Sequence, residues 1–187
     1  MMENPGEHLV GQYLKAIKNC DFVEYNLHTK HTQGEIDVVG INSSDNIVYI
    51  CEVATHLDGL GYNKIINNKV RNNNFNALSN KFKKDIEYGN KNFSNYKRIY
   101  MLWTPIARKS KKNSKNNAFN DLQEIKKYVK DKLKEELIIV ANKDFLDAIN
   151  ELRVIAKPPG PAMTSPIMRF LQIEERLKKT IYLDEKK

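Results

Sequence analysis

The chain has 187 residues and a formal charge of +8, enough length for one domain with a proper core. Its basic balance points to an anionic partner, nucleic acid first among them. No apolar run approaches the ~18 residues of a membrane span, and Met1-Met2-Glu3-Asn4-Pro5 lacks the form of a signal peptide. Cys20 and Cys51 lie beside apolar residues and read as reduced buried thiols, so a cytoplasmic protein without a membrane partner is expected.

Asn4-Pro5-Gly6-Glu7 opens a helix: a cap residue, proline at the first helical position, an acid at the third. Leu9, Val10, Tyr13, Leu14 and Ile17 then recur at helical spacing through about Lys18. Phe22 to Leu27 predicts a first strand, Ile36 to Ile41 a second and Ile47 to Val53 a third. Asn42-Ser43-Ser44-Asp45-Asn46 makes the turn between the last two. Both strands are apolar on successive residues, as in a sheet covered on two faces. A loop over His56 to Gly61 leads to a helix expected from Tyr62, broken near Arg71-Asn72-Asn73-Asn74, and then a second piece from Phe75 to Tyr88. Arg98 to Trp103 is a fourth strand, Ala118 to Lys134 a helix, Leu137 to Ala141 a fifth strand and Asp144 to Ala156 a helix. Lys157-Pro158-Pro159-Gly160-Pro161 breaks regular structure before a last amphipathic helix, Ser165 to Lys179. The order predicts an α/β sandwich: a central mixed sheet of about five strands, antiparallel at its front and parallel behind, flanked by helices.

Two strands carry an acid where a buried strand should have none: Asp37 in Gly34-Glu35-Ile36-Asp37-Val38-Val39-Gly40, and Glu52 in Ile47 to Thr55. An unpaired carboxylate among Val and Ile costs several kcal/mol. Alternation points Asp37 with Val39, and Glu52 with Ile50 and Ala54. In a hairpin the two acids would converge at one end of the sheet and could share a divalent cation. The competing expectation is a pair of acids at strand ends, solvated or bonded to backbone amides.

Gly-Glu-Ile-Asp, followed by an apolar strand ending in Glu-x-x, resembles the motif of the PD-(D/E)xK nuclease superfamily. The element order of about Asn4 to Val140 resembles its restriction-endonuclease-like fold. The remainder is unmatched; the Pro-rich break divides the chain into an expected nuclease-like α/β domain over residues 1–157 and a segment 158–187 whose amphipathic helix packs on that domain or on a partner. The resemblance implies Mg²⁺ or Mn²⁺ as cofactor and hydrolysis of phosphodiesters, usually in DNA. Asp37 and Glu52 would be the acidic metal ligands, and the Val53 carbonyl a further contact. Glu7 would stand where some members use an extra acid, although it is also the third residue of a capping box begun by Asn4.

The superfamily places a Lys two residues after the second acid, where this chain has Ala54. A methyl group neither donates a hydrogen bond nor carries charge. Three explanations remain open: a Lys relocated to the next helix, with Lys64 and Lys69 as candidates; a fold that kept binding and lost catalysis; or a nuclease whose Lys was replaced by Ala. The reading preferred from sequence is an impaired DNA endonuclease of restriction type, with a noncatalytic nucleic-acid-binding module as its alternative. A third is a structural or assembly domain whose acids hold no metal.

Arg108, Lys109, Lys111, Lys112 and Lys115 form a basic loop suited to phosphates, or a solvated connector. Gln12, Tyr62, Asn63 and Asn67 are weaker candidates for contacts in the cleft. His28, His31 and His56 with the two cysteines lack zinc-site spacing. No P-loop, Rossmann fingerprint or Gly-x-Ser-x-Gly elbow occurs, so no nucleotide cofactor is expected. A twofold-symmetric cut needs two active sites, which makes a homodimer plausible for a domain of this size.

Overall fold

A computed structural model describes residues 4–28, 34–57, 60–66, 69–109, 117–157 and 160–184. Seven strands are described: β1 (Phe22–His28), β2 (Glu35–Asn42), β3 (Ile47–Val53), β4 (Asn63–Ile66), β5 (Lys69–Asn72), β6 (Lys97–Thr104) and β7 (Leu137–Ala141). The helices are α1 (Pro5–Ala16), α2 (Asn74–Asn92), α3 (Ala118–Tyr128), α4 (Lys143–Ala156) and α5 (Pro166–Asp184). Five strands form one mixed sheet in the order β1-β2-β3-β6-β7. The β1–β2 and β2–β3 pairs are antiparallel, and β3–β6 and β6–β7 are parallel. This is the mixed α/β sandwich that the element order predicts. No helix among the described residues is long and apolar enough to cross a membrane.

The near-continuous apolar runs of β2, β3 and β6 make sense because helices cover both faces. On one face Val10 and Leu14 of α1, Phe145 and Leu152 of α4, and Met168 and Leu171 of α5 pack over Cys51, Val53, Met101 and Trp103. On the other, Leu78, Phe82 and Ile86 of α2 and Leu122 and Ile125 of α3 pack over Val48, Ile50, Ala54, Tyr100 and Leu102. Successive strand residues thus serve opposite cores, and the even-numbered residues of β3, Glu52 included, face α2.

α1 begins as its sequence implies. Asn4 Oδ1 accepts from the Gly6 N–H at 2.9 Å, and Pro5 occupies a position whose N–H would have no helical partner.

One element differs from expectation. The segment from Tyr62 is no helix but a two-stranded hairpin, with Ile65 opposite Val70 and Lys64 opposite Arg71. The β-branched Ile65, Ile66 and Val70 favour an extended backbone over a helix. The asparagines that follow do not break a helix; they build the start of one. Asn72 Oδ1 accepts from the Asn74 N–H at 2.9 Å, Asn74 Oδ1 accepts from the Tyr62 N–H at 3.2 Å, and Asn74 Nδ2 donates to Asp121 Oδ2 at 2.7 Å. This network ties the base of the hairpin and the first turn of α2 to α3.

α2 lies close to the sheet because Gly89 faces Tyr100 and Ile50 without a side chain. A Cβ there would meet Tyr100 Oη at 2.5 Å and Ile50 Cδ1 at 2.9 Å.

α3 continues into a π turn, Val129–Leu133, which Lys134 closes with φ 61°. α5 packs on α4 and α1, while Phe170, Ile173, Leu177 and Ile181 stay exposed along one side of it.

Candidate active site

The β2–β3 ladder ends at the pair Val38–Cys51. One step further along the same register, Asp37 and Glu52 stand opposite one another and therefore share a face. Beyond them the ladder is replaced by a side chain: Asp37 Oδ2 accepts from the Val53 N–H at 2.6 Å. The N–H and C=O of a strand residue point to the same side, so the Val53 carbonyl also opens toward β2. Ala54 returns to β6, its N–H donating to the Trp103 carbonyl at 2.8 Å. The expected backbone-amide bond to a strand-end acid is therefore real for Asp37, on one of its two oxygens.

The other oxygens meet a lysine. Lys81 Nζ lies 3.5 Å from Asp37 Oδ1 and is ion-paired with Glu52 Oε2. Glu52 is 1% exposed, whereas the Lys81 side chain is 34% exposed, so the cluster opens to solvent on the lysine side. One cation thus touches both acids at once. Lys81 sits on α2 beside Leu78 and Phe82, the residues that seat the helix on the sheet. Burial opposes its charge, yet Glu52 and Asp37 together hold the ammonium protonated well above the ordinary lysine range. Tyr62, at the foot of the β4–β5 hairpin, hydrogen-bonds with Lys81, and burial raises its phenol.

A third carboxyl lies one turn on. Asp85 is 4% exposed and adjoins Glu52. Two carboxyl groups can bond each other only with a proton between them. Without one, Glu52 Oε1 and Asp85 Oδ2 are both buried and lack a donor. Burial, reinforced by the charges of Asp37 and Asp85, pushes Glu52 well above the usual carboxylate range despite Lys81. Burial likewise pushes Asp85 up to about 7, against its bond with Glu52 and the Lys81 charge.

Glu7 lies at the start of α1, within electrostatic reach of Asp37. Asn4 Nδ2 donates to its Oε1 at 2.6 Å, a side-chain pair at the helix start in place of the backbone bond of a capping box. Burial raises its carboxyl, and the nearby charges of Asp37 and Glu35 add to the effect. It is therefore bonded to the N-cap side chain and is a neighbour of Asp37.

The remaining candidates divide. Ala54 shares the Glu52 face but is 1% exposed and packed in the apolar cluster under α2. Lys64 and Lys69 belong to β4 and β5 rather than to a helix flanking the cleft, and the lysine at the acids is Lys81. Asn63 also lies on β4. Gln12 bonds the Tyr25 hydroxyl. Arg108 and Lys109 are exposed beyond β6, whose parallel pairing with β3 puts them at the same end of the sheet as Glu52. Lys109 Nζ lies 4.6 Å above the Phe119 ring. Asn67, His31, Lys111, Lys112 and Lys115 lie outside the described residues. His28 and His56 are exposed, and Cys20 and Cys51 are free thiols.

The donors fit a hard divalent cation in kind. They are carboxylate oxygens from two adjacent strands, a carbonyl opening to the same side, and a buried Glu52 oxygen with no donor other than a proton shared with Asp85. Among the described residues no group of three or more His, Cys, Asp or Glu is arranged to hold a metal. Magnesium commonly takes only one or two carboxylates and fills its shell with water and phosphate oxygens.

No protein-family model, curated protein or solved structure matches this chain.

Lys81 and Asp85 escaped the sequence reading. The signal that could have found them is the type that exposed Asp37 and Glu52. Leu78, Phe82 and Ile86 define the inward stripe of α2, and Asp85 falls within it with Lys81 one turn before.

Proposed function

We propose that this chain is a Mg²⁺- or Mn²⁺-dependent phosphodiester hydrolase acting on DNA, a PD-(D/E)xK-like endonuclease whose lysine is supplied by α2 rather than by β3. One observation carries the reading: a single lysine ammonium contacts both strand acids. The vacancy that Ala54 leaves in the motif is filled by Lys81, from the helix that covers the same face of the sheet. On this reading the chain is a complete nuclease rather than an impaired one.

Asp37 and Glu52, with the Val53 carbonyl, would hold the metal, which when bound supplies positive charge beside the scissile phosphate and orients water. Lys81 is held protonated, so it does not accept a proton from the attacking water. Its work is electrostatic: it offers an ammonium to charge developing on phosphate oxygens and a donor that orients the nucleophile. Tyr62 limits where that ammonium can point. Arg108 and Lys109, at the same end of the sheet, add sequence-independent attraction for the backbone. A twofold-symmetric cut would pair two copies, and a dimer in sedimentation equilibrium is the expected state.

The test is supercoiled plasmid with Mg²⁺, comparing the chain with its Lys81→Met and Ala54→Lys variants. The parent is expected to cut, EDTA to stop it, and Lys81→Met to lose ~10²-fold or more. Ala54→Lys is expected to bring no gain, because the ammonium is already provided. Cleavage acquired only with Ala54→Lys would instead mean that Lys81 is no substitute.

A second reading has one observation in its favour: the Lys81 ammonium occupies the point where the two acids meet, as a permanent counter-ion would. That is the noncatalytic nucleic-acid-binding module. It wins if no variant cuts while all bind DNA with a steep salt dependence.

A further inference from the structure

The carboxylates of the cluster are not equally satisfied. Asp37 has a backbone donor on one oxygen and faces Lys81 with the other. Glu52 has Lys81 on Oε2, while its Oε1 meets no donor other than the proton it can share with Asp85. Asp85 brings a second bare oxygen, Oδ2, to the neighbouring position on α2. Both bare oxygens belong to side chains more than nine-tenths buried, at 1% and 4% exposure.

Folding alone gives no reason for Asp85. It falls in the apolar stripe of α2, where Leu78, Phe82 and Ile86 bury against the sheet. Burying a carboxyl group there beside another, with only a shared proton to join their inward oxygens, costs several kcal/mol that a leucine would avoid. Lys81 cannot meet the need, since its ammonium is already engaged with Glu52 Oε2 and faces Asp37. Two inward carboxyl oxygens that otherwise need a shared proton suit a hard divalent cation in that proton's place.

We propose that Asp85 is a further carboxylate ligand of the cation bound by Glu52, so that α2 contributes both the site's ammonium and one of its metal donors. This rests on the metal-dependent reading above and extends it. The motif acids come from β2 and β3, whereas the additional acid comes from a helix 33 positions beyond Glu52 in the chain.

The probe is Mn²⁺ alone, titrated calorimetrically into the nucleic-acid-free chain and into Asp85→Asn. Asparagine keeps the shape and removes the charge. The parent is expected to bind Mn²⁺, and Asp85→Asn to bind at least ~10-fold more weakly, the scale on which loss of a supporting carboxylate lowers metal affinity. If the parent binds and Asp85→Asn binds equally well, Asp85 is not a ligand and the nuclease reading survives. If the parent itself binds no Mn²⁺, the metal-dependent reading falls and takes this inference with it. Should Asp85→Asn fail to fold, the unaltered chain crystallised with Mn²⁺ decides by anomalous scattering. An ion bonded to Asp85 supports the assignment, and an ion bonded only to Asp37 and Glu52 overturns it.

Discussion

The Asp37 carboxylate accepts the Val53 N–H at 2.6 Å, in the place where a ladder partner would otherwise stand. Asp37 therefore closes the end of the β2–β3 hairpin as well as presenting charge. The two roles separate by substitution. Asp37→Asn keeps an oxygen for Val53 and loses the charge, so its melting temperature is expected to stay near the parent's while Mg²⁺-dependent cleavage drops ~10²-fold or more. Asp37→Ala loses both, and should unfold about 1–3 kcal/mol more easily in urea through the orphaned N–H.

Replacing Lys81 removes the counter-charge of two acids. Lys81→Met is expected to cost about 3 kcal/mol in urea unfolding without metal, the lower range for breaking a buried pair because the ammonium is partly exposed. Added Mg²⁺ should return part of that loss. Lys81→Arg is not expected to restore cleavage, because a planar fork cannot occupy the point contact an ammonium makes.

Stability without metal should depend on pH in a stated direction. Asp85 has an ordinary value of 3.8 and is pushed up to about 7 in the fold. Its proton is therefore held more tightly folded than unfolded. The stability this group contributes is complete below about pH 4 and is lost as pH rises through about 7. Glu52, also raised, acts in the same direction. With EDTA present, the melting temperature is expected to fall between pH 5.5 and pH 8, and Asp85→Asn should flatten much of that fall. A metal-free melting temperature that rises across this interval would contradict the buried carboxyl pair.

Gly89 tests the seating of α2. A methyl group there would meet Tyr100 Oη and Ile50 Cδ1, and Ile50 is two residues from Glu52 on the same face. Gly89→Ala should cost about 1–3 kcal/mol through overpacking. It should also lower cleavage beyond what a surface Gly→Ala change does, since the helix must lift Lys81 from the acids. Thermal melts and plasmid turnover measured on one preparation would show both.

The strands and most helices were legible because their periods are unmixed. β2, β3 and β6 are apolar on successive residues, and α1 carries its cap, its proline and its apolar face in order. The acid pair was legible because charge inside a strand contradicts burial. The hairpin after Tyr62 was not, since Ile65, Ile66 and Val70 also suit a helical spacing in so short a window. Lys81 was hidden for another reason. Its meeting with Glu52 depends on how deep α2 sits, which Gly89 and the asparagine network govern, and neither is encoded at the motif itself. A lysine on an amphipathic helix otherwise reads as ordinary solvent-facing charge.

If the chain is the nuclease proposed above, the division of labour between sheet and helix has an outcome for how that activity is gained during folding. A hairpin of β2 and β3 can bring Asp37 and Glu52 together from residues close in sequence, but alone it gathers only mutual repulsion. The compensating amine arrives when α2 docks, and a loosened state that kept its strands and helices while losing side-chain interlock would have every component and no working centre. Catalytic competence would then report on tertiary closure itself, and would vanish ahead of the far-ultraviolet signal as the protein is warmed.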